Sequence, residues 1–229
     1  MNIRQISFLN MLVSHSGEFL PIDRFAEDLQ VSQKTLRRDL DLIETYLKDF
    51  GAATASNGAV GLYHVENITP EAVKYGKDLI AEDAKVYVVD DAELQRVYES
   101  YPVIWKKKDA KPKLCFMGCP HMSLQQLIDW TEKVSQSLKE AGRTRVCIPT
   151  VFTAAPAVLK KFQETPYAET LKATGVITSY ICPLMYMNNP LSEKMPVITS
   201  SNKLRTYTSA RYYTDAEILE QITKGGADK

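Results

Sequence analysis

From residue 114 to residue 223 short apolar runs alternate with amphipathic helical periods. The spacing predicts strands over 114–117, 145–152, 176–181 and 197–199, and helices over 123–140, 155–174 and 215–223. A further strand is expected over 85–89, followed by a helix from 91 to 100 that Asp90 caps. Strands separated by helices must return by crossover connections. The chain is therefore expected to be α/β, with a mostly parallel sheet between helix layers.

One stretch of this pattern carries unusual chemistry. Gly118-Cys119-Pro120-His121-Met122-Ser123 follows an apolar strand signal and opens a helix signal, and Gly118 and Pro120 are expected to force a turn. A thiol and an imidazole there stand at the carboxyl end of a strand, where open α/β sheets build their sites. Two other strand ends look alike. The run over 176–181 ends at Cys182-Pro183, and the run over 197–199 ends at Ser200-Ser201-Asn202-Lys203. If the three strands are parallel neighbours, Cys119, Cys182 and the Ser/Lys pair converge on one edge of one sheet.

Composition narrows the class. A chain of 229 residues suits one large or two small domains. Its hydrophobic fraction of 45% and charged fraction of 24% are ordinary for a soluble globular protein. The formal net charge is zero, so any contact with nucleic acid must come from a local patch. No apolar run approaches a membrane span, and no charged-then-apolar leader opens the chain, which makes the cytoplasm the expected compartment. Four cysteines do not make a disulfide scaffold; Cys115 and Cys147 read as core thiols within strands, Cys119 and Cys182 as thiols on turns.

Residues 1–48 read differently. Ile3, Ile6, Leu9, Leu12 and Val13 recur at helical spacing, a second helix opens near Pro21, and Ser32 is placed to cap a third that turns Leu36, Leu40, Ile43 and Leu47 inward. The arrangement is a helix-turn-helix. The segment with Phe25, Ala26, Leu29, Val31, Ser32, Thr35, Leu36, Arg37, Arg38, Asp39 and Leu40 resembles the DNA-binding head of winged-helix regulators of the sugar-repressor and biotin-repressor kind. By position, the resemblance implies that Ser32, Gln33, Lys34, Thr35, Arg37 and Arg38 face DNA, and that such heads pair as a homodimer. Acidic residues about match basic ones in this segment, so the binding face is a small cluster, and a solvated helical face is the plain alternative. The expected division is a helix-turn-helix domain over 1–48 and an α/β domain over 49–229.

The rest of the chain resembles a second family. Residues 47–72, with Ser56, Asn57, Gly58 and His64 and the Thr69-Pro70-Glu71-Ala72 run, are similar to a stretch of the aconitase X large subunit. The run over 88–94, the Gly118 to Ser123 motif, Cys182 and the Thr199 to Lys203 motif follow in that family's order. Residues 54–65 also read as the β-hairpin wing of a winged-helix domain, with Asn57-Gly58 as its turn. The resemblance implies a hydro-lyase that removes water from a small hydroxy acid or its phosphate. It further implies an iron-sulfur cluster on three cysteines, of which Cys119 and Cys182 match two. The third belongs to a part of the family's large subunit that has no counterpart here, where the helix-turn-helix stands in its place.

Roles for the remaining residues follow from chemistry and resemblance together. Ser56, Asn57 and Gly58 would donate hydrogen bonds to a substrate carboxylate, with His64 and Ser200 bordering the ligand. Lys203 would neutralise an anion, Ser201 would donate a hydrogen bond or act as a base, and His121 would orient a ligand or hold the turn. Two functions are expected from this. The first is ligand-responsive DNA binding, with a truncated lyase domain sensing a small hydroxy acid or its phosphate. The alternative is a dehydratase subunit completed by a partner chain.

Overall fold

The computed structural model describes residues 3–14, 21–43, 64–66, 69–187, 189, 190 and 192–225. Contacts divide the chain into two compact units, residues 1–100 and 101–229. The expected residues Ser56, Asn57 and Gly58, with the wing reading of residues 54–65 up to Tyr63 and the expected inward Leu47, lie outside the described residues.

In the first unit, α1 (Ile3–Ser14), α2 (Ile22–Asp28) and α3 (33–43) form the expected three helices. Phe8, Leu9, Phe25, Ala26, Leu36 and Ile43 make their core, with the Phe8 and Phe25 rings tilted at 5.7 Å. The helical period put Leu40 on the same inward face, but it is 39% exposed. The inward position beside it is taken by Asp39, whose carboxylate receives two bonds from the Arg4 guanidinium, Nε at 2.6 Å and Nη2 at 3.1 Å, and one from Gln5 Nε2 at 3.1 Å. A buried carboxylate needs such partners. Ser32 caps α3 as expected, its Oγ accepting from Thr35 N at 3.1 Å.

The unit continues with α4 (Pro70–Tyr75), a 3-10 turn (Gly76–Leu79) and α5 (Asp91–Ser100). Asp90 caps α5 as the sequence predicted, its Oδ1 accepting from Glu93 N at 2.8 Å. The strand expected over 85–89 does not form. Among the described residues nothing in this unit pairs with it, and a β run without a neighbouring ladder has no hydrogen bonds to make it a strand.

The second unit is the expected parallel α/β sheet. Its elements are β1 (Leu114–Met122), α6 (Leu124–Glu140), β2 (Thr150–Ala154), α7 (Pro156–Gln163), α8 (Pro166–Ala173), β3 (Ile177–Ser179), α9 (Pro183–Met187), β4 (Val197–Thr199), α10 (Asn202–Tyr207), β5 (Arg211–Tyr212) and α11 (Asp215–Lys224). The order across the sheet is β3-β2-β1-β4-β5, and every pairing is parallel. Alternation along β1 sends Cys115 and Met117 to one face, where Leu127, Trp130 and Val134 of α6, Leu159 and Phe162 of α7, Leu171 of α8 and Ile218 and Ile222 of α11 cover them. Phe116 goes to the other face, against Met187 of α9 and Leu204 of α10. Trp130 meets Phe152 edge-on, with ring centroids 5.8 Å apart. Such an aromatic pair adds about 1 kcal/mol to the burial itself.

Several boundaries depart from the sequence reading. The helix expected over 155–174 is two, because Pro166 lacks the N–H to continue a helix and opens a new one instead. The strand expected from residue 145 starts at Thr150, which leaves Cys147 half-buried on a loop against α11, its N–H donating to the Ile222 carbonyl at 2.7 Å. Cys147 is therefore not a strand thiol of the core, whereas Cys115 is fully buried. No helix among the described residues is long and apolar enough to cross a membrane.

Candidate functional site

Strand order decides where a site can lie. The chain moves from β1 outward through β2 to β3, then returns to lay β4 on the opposite side of β1. The order reverses between β1 and β4, and the two crossovers that leave from there run on opposite faces of the sheet. In open α/β sheets such a reversal marks a crevice at the carboxyl ends of the two strands. The Gly118 to Met122 segment lies at the end of β1, and Ser200, Ser201 and Lys203 lie just after β4.

The Gly118 segment is not the turn that its glycine and proline suggested. β1 runs on to Met122, with a cis bond between Cys119 and Pro120, and its register against β2 shifts in between: β1 advances from Met117 to Met122 while β2 advances only from Phe152 to Ala154. The surplus bulges out of the ladder. Gly118 has φ +99°, and a β-carbon on it would stand 2.3 Å from the Thr153 carbonyl oxygen. The Thr153 hydroxyl lies 2.6 Å from the Gly118 carbonyl oxygen and 3.2 Å from that of Met117, holding the bulge against β2.

From the β4 side the bulge is held by Ser201. Its hydroxyl donates to the Cys119 carbonyl and accepts from Leu204 N at 3.0 Å, so the same oxygen fastens the bulge and caps α10. Its own N–H donates to Thr199 Oγ1 at 3.1 Å. Both of these partners belong to the scaffold, and the same hydroxyl also bears on the Cys119 thiol. Ser200, beside it, points its hydroxyl at the Met117 sulfur at 3.5 Å.

Cys119 is buried among Phe116, Met187, Val197, Leu204 and Ala210. Burial pushes its thiol above the usual cysteine range; the Ser201 hydroxyl opposes that, the Cys182 thiol adds to it, and the Lys203 ammonium opposes it again. Cys182, Ser201 and Lys203 thus each bear on the Cys119 thiol, the grouping expected of neighbouring parallel strands. The route differs in one respect. β3, which precedes Cys182, is not a neighbour of β1 but lies beyond β2, and Cys182 reaches the edge from the start of α9, its carbonyl accepting from Met185 N at 2.9 Å. Cys182 and Lys203 are half-buried, as is His121 on the bulge.

The other expected residues stand elsewhere. His64 belongs to the first unit, where its Nδ1 lies 4.0 Å from a Glu71 carboxylate oxygen. Ser32, Gln33, Lys34, Arg37 and Arg38 are exposed on or beside α3, and Thr35 is half-buried, its Oγ1 2.9 Å from Ser32 Oγ. Beside that helix start lies a groove of about 560 Å³ whose lining includes Asp23, Glu27, Gln30, Ser32 and Gln33. Its two carboxylates oppose a phosphate backbone there, while Lys34, Arg37 and Arg38 favour one.

The cluster that the sequence resemblance implies does not fit this chain alone. Cys115 packs on the opposite face of the sheet from Cys119, and Cys147 lies against α11, so neither supplies a third thiolate beside Cys119 and Cys182. Among the described residues no three His, Cys, Asp or Glu side chains are grouped to hold a metal ion. Sequence reasoning missed α10 and β5, two short elements that place Lys203 and close the sheet beside β4. The Ser-Ser-Asn sequence, a strong helix-start signal, marked the first of them.

Comparison with known proteins agrees with the fold. Residues 29–99 match the family described as the aconitase X second domain, a match that begins inside the segment read as a helix-turn-helix. The phosphomevalonate dehydratase large subunit of Methanosarcina mazei is 31% identical over 162 residues, which are 70% of this chain and 35% of that protein. The crystal structure of Thermococcus kodakaraensis aconitase X superposes with a TM-score of 0.59 at 25% identity, covering 78% of this chain and 44% of that one. The transcriptional regulator ManR of Bacillus subtilis is 37% identical over 68 residues, 29% of this chain and 10% of the regulator. The chain spans less than half the length of each of these proteins.

Proposed function

Because the chain is an aconitase X relative that spans only part of the family's large subunit, we propose that it is a dehydratase subunit of that type, completed by a partner polypeptide. What supports this reading is the Ser201 bond to the Cys119 carbonyl where the strand order reverses, with Cys182 and Lys203 bearing on the same thiol. The substrate class is a small hydroxy acid or its phosphate, phosphomevalonate being the one its relatives' name supplies.

Each residue has a part that its own chemistry allows. Lys203 is the cation of the crevice and pairs with the substrate's carboxylate or phosphate. Ser201 is a positioning residue, since its hydroxyl holds the bulge that presents Cys119 and His121 and caps the helix that carries Lys203. Cys119 and Cys182 are two thiols of a donor set whose remainder belongs to the partner. His121 stands on the same bulge and orients what the crevice binds.

Purified without oxygen together with the products of its neighbouring genes, the chain is expected to dehydrate phosphomevalonate, and Lys203→Met to raise KM more than it lowers kcat. A stable complex with no activity on small hydroxy acids or their phosphates overturns the reading.

A second reading is favoured by the match to ManR and by the exposed Ser32, Gln33, Lys34, Arg37 and Arg38 on and beside α3. On this reading the first unit binds DNA and the second senses the hydroxy acid. DNA from the gene's own upstream region should be retarded at low salt, less so with Arg37→Ala and Arg38→Ala combined. Absence of retardation at low salt removes it.

A further inference from the structure

Between two ladder pairs the sheet has a gap that one side chain spans. β1 and β2 are in register at Met117 with Phe152 and again at Met122 with Ala154, so the stretch from Gly118 to His121 stands opposite Thr153 alone. A ladder cannot match that whole stretch to one residue. The Thr153 hydroxyl takes the place of the missing bonds, as an O–H donor 2.6 Å from the Gly118 carbonyl oxygen and 3.2 Å from that of Met117.

Thr153 is itself held. It is fully buried, its backbone pairs with Ser179 of β3, and branching at its β-carbon restricts its rotamer. The Ser179 hydroxyl in turn accepts from Ile181 N at 3.1 Å, in the turn that leads to Cys182. A line of contacts from Gly118 through Thr153 to Ser179 therefore joins the strand that carries Cys119 to the strand that leads to Cys182. Those two strands are not neighbours, and Thr153 is the link on the strand between them.

The consequence falls on Cys119. Its α-carbon lies between two peptide planes. The plane before it has its carbonyl, that of Gly118, tied to β2 through Thr153, and the plane after it has its carbonyl, that of Cys119, tied to the loop after β4 through Ser201. A residue has two soft backbone dihedrals, and one tie on each side fixes both. Removing the Thr153 tie frees one of them.

We propose that Thr153 is a positioning residue of the crevice, whose hydroxyl fixes the peptide plane before Cys119 and so sets where that thiol stands. The part this plays in catalysis rests on the dehydratase reading; the placement of the thiol does not.

Thr153→Ser and Thr153→Ala both lose the methyl and differ only in the hydroxyl, so the contrast between them reads the bond alone. In the full chain, Cys119 of Thr153→Ala is expected to react with iodoacetamide roughly five-fold faster than in the wild type, the factor that one hydrogen bond is worth. Thr153→Ser should stay close to the wild type. Cys147 and Cys182 should keep their rates and Cys115, on the same strand, should stay unlabelled until unfolding, which separates a displaced thiol from a loosened sheet. A Cys119 rate that does not rise in Thr153→Ala, or that rises equally in Thr153→Ser, overturns the proposal, as does a rise that Cys115 shares. In the complex with the products of the neighbouring genes, Thr153→Ala should lower kcat while KM, set by Lys203, holds, and Thr153→Ser should restore kcat. An active complex whose kcat ignores Thr153→Ala overturns the catalytic part. A wild-type complex without activity overturns the dehydratase reading instead, and the alkylation rates alone then decide the placement of Cys119.

Discussion

Ser201, on the loop after β4, donates its hydroxyl to the carbonyl oxygen of Cys119 on the β1 bulge. The ladder between β1 and β4 pairs only Leu114 with Val197 and Cys115 with Ile198. Beyond that the two strands part, and this bond spans the opening between them beside the weaker contact of Ser200 with the Met117 sulfur. It fixes the backbone of Cys119, while the same hydroxyl favours the Cys119 thiolate.

Ser201→Ala should therefore cost more than the loss of one helix cap. It removes the acceptor for Leu204 N and leaves the buried Cys119 carbonyl without that donor, together about 2 kcal/mol. Both tryptophans, Trp105 and Trp130, lie in the second unit, so urea unfolding followed by their fluorescence reads this loss directly. Ser200→Ala gives up only a contact with the Met117 sulfur. It is expected to change stability by no more than about 0.5 kcal/mol, the range of substitutions that break no cap, cavity or network.

Gly118→Ala should be among the most damaging single changes in the second unit. It forces an alanine to φ +99° and drives its β-carbon to 2.3 Å from the Thr153 carbonyl. Strain and overpacking together give an expected loss of about 3 kcal/mol or more. The nearest atom is backbone, so adding Thr153→Ala should recover little. Substantial recovery in the double variant would show that the side chain, not the strand itself, sets the limit.

How much of this was legible beforehand depended on whether a feature is local. The parallel α/β sheet followed from alternation, and the caps at Ser32 and Asp90 followed from residue type, since a cap is decided within one turn. The sheet order was not legible, because pairing between β1 and β4 joins residues far apart in the chain, and periodicity carries no word of it. The bulge was misread for a related reason. Gly118 and Pro120 are turn residues by local rule, yet Thr153 and Ser201, distant in sequence, hold that backbone in a strand. The strand expected over 85–89 failed in the opposite sense: its local signal is strong, but a strand also needs a neighbour. Burial of Asp39 was not legible either, because the Arg4 and Gln5 side chains that make its carboxylate tolerable inside lie far off in sequence.

That buried carboxylate gives the first unit a defined acid sensitivity. The Arg4 guanidinium bonded to Asp39 holds its carboxyl below the usual range, against a smaller opposing effect of burial. A folded value below the unfolded one means stability that is fully present above the unfolded value, about 4, and lost as pH falls through the depressed folded value. A carbon-detected NMR titration should place the Asp39 midpoint below that of an ordinary aspartate, and Arg4→Met should raise it. Asp39→Asn should flatten the dependence of first-unit stability on acid pH. An Asp39 midpoint at the ordinary value would show that the pair does not form in solution.

The four thiols should be told apart by their rates of alkylation, which follow thiolate fraction and access. Cys147 and Cys182 are half-buried, and Cys115 is fully buried with its thiol pushed far up by burial alone. Cys119 lies between: it is buried and raised, but the Ser201 hydroxyl and the Lys203 ammonium pull its thiolate back toward stability. With iodoacetamide and mass spectrometry, Cys147 and Cys182 should label first, Cys119 later, and Cys115 only on unfolding. Raising the pH should speed Cys119 over a range above that of a free cysteine. Lys203→Met removes a cation that favours the thiolate, so Cys119 should label more slowly at a given pH while Cys147, against α11, keeps its rate. A Cys119 rate unchanged by that substitution would mean that the lysine does not face the thiol, and the crevice between β1 and β4 would lose its cation.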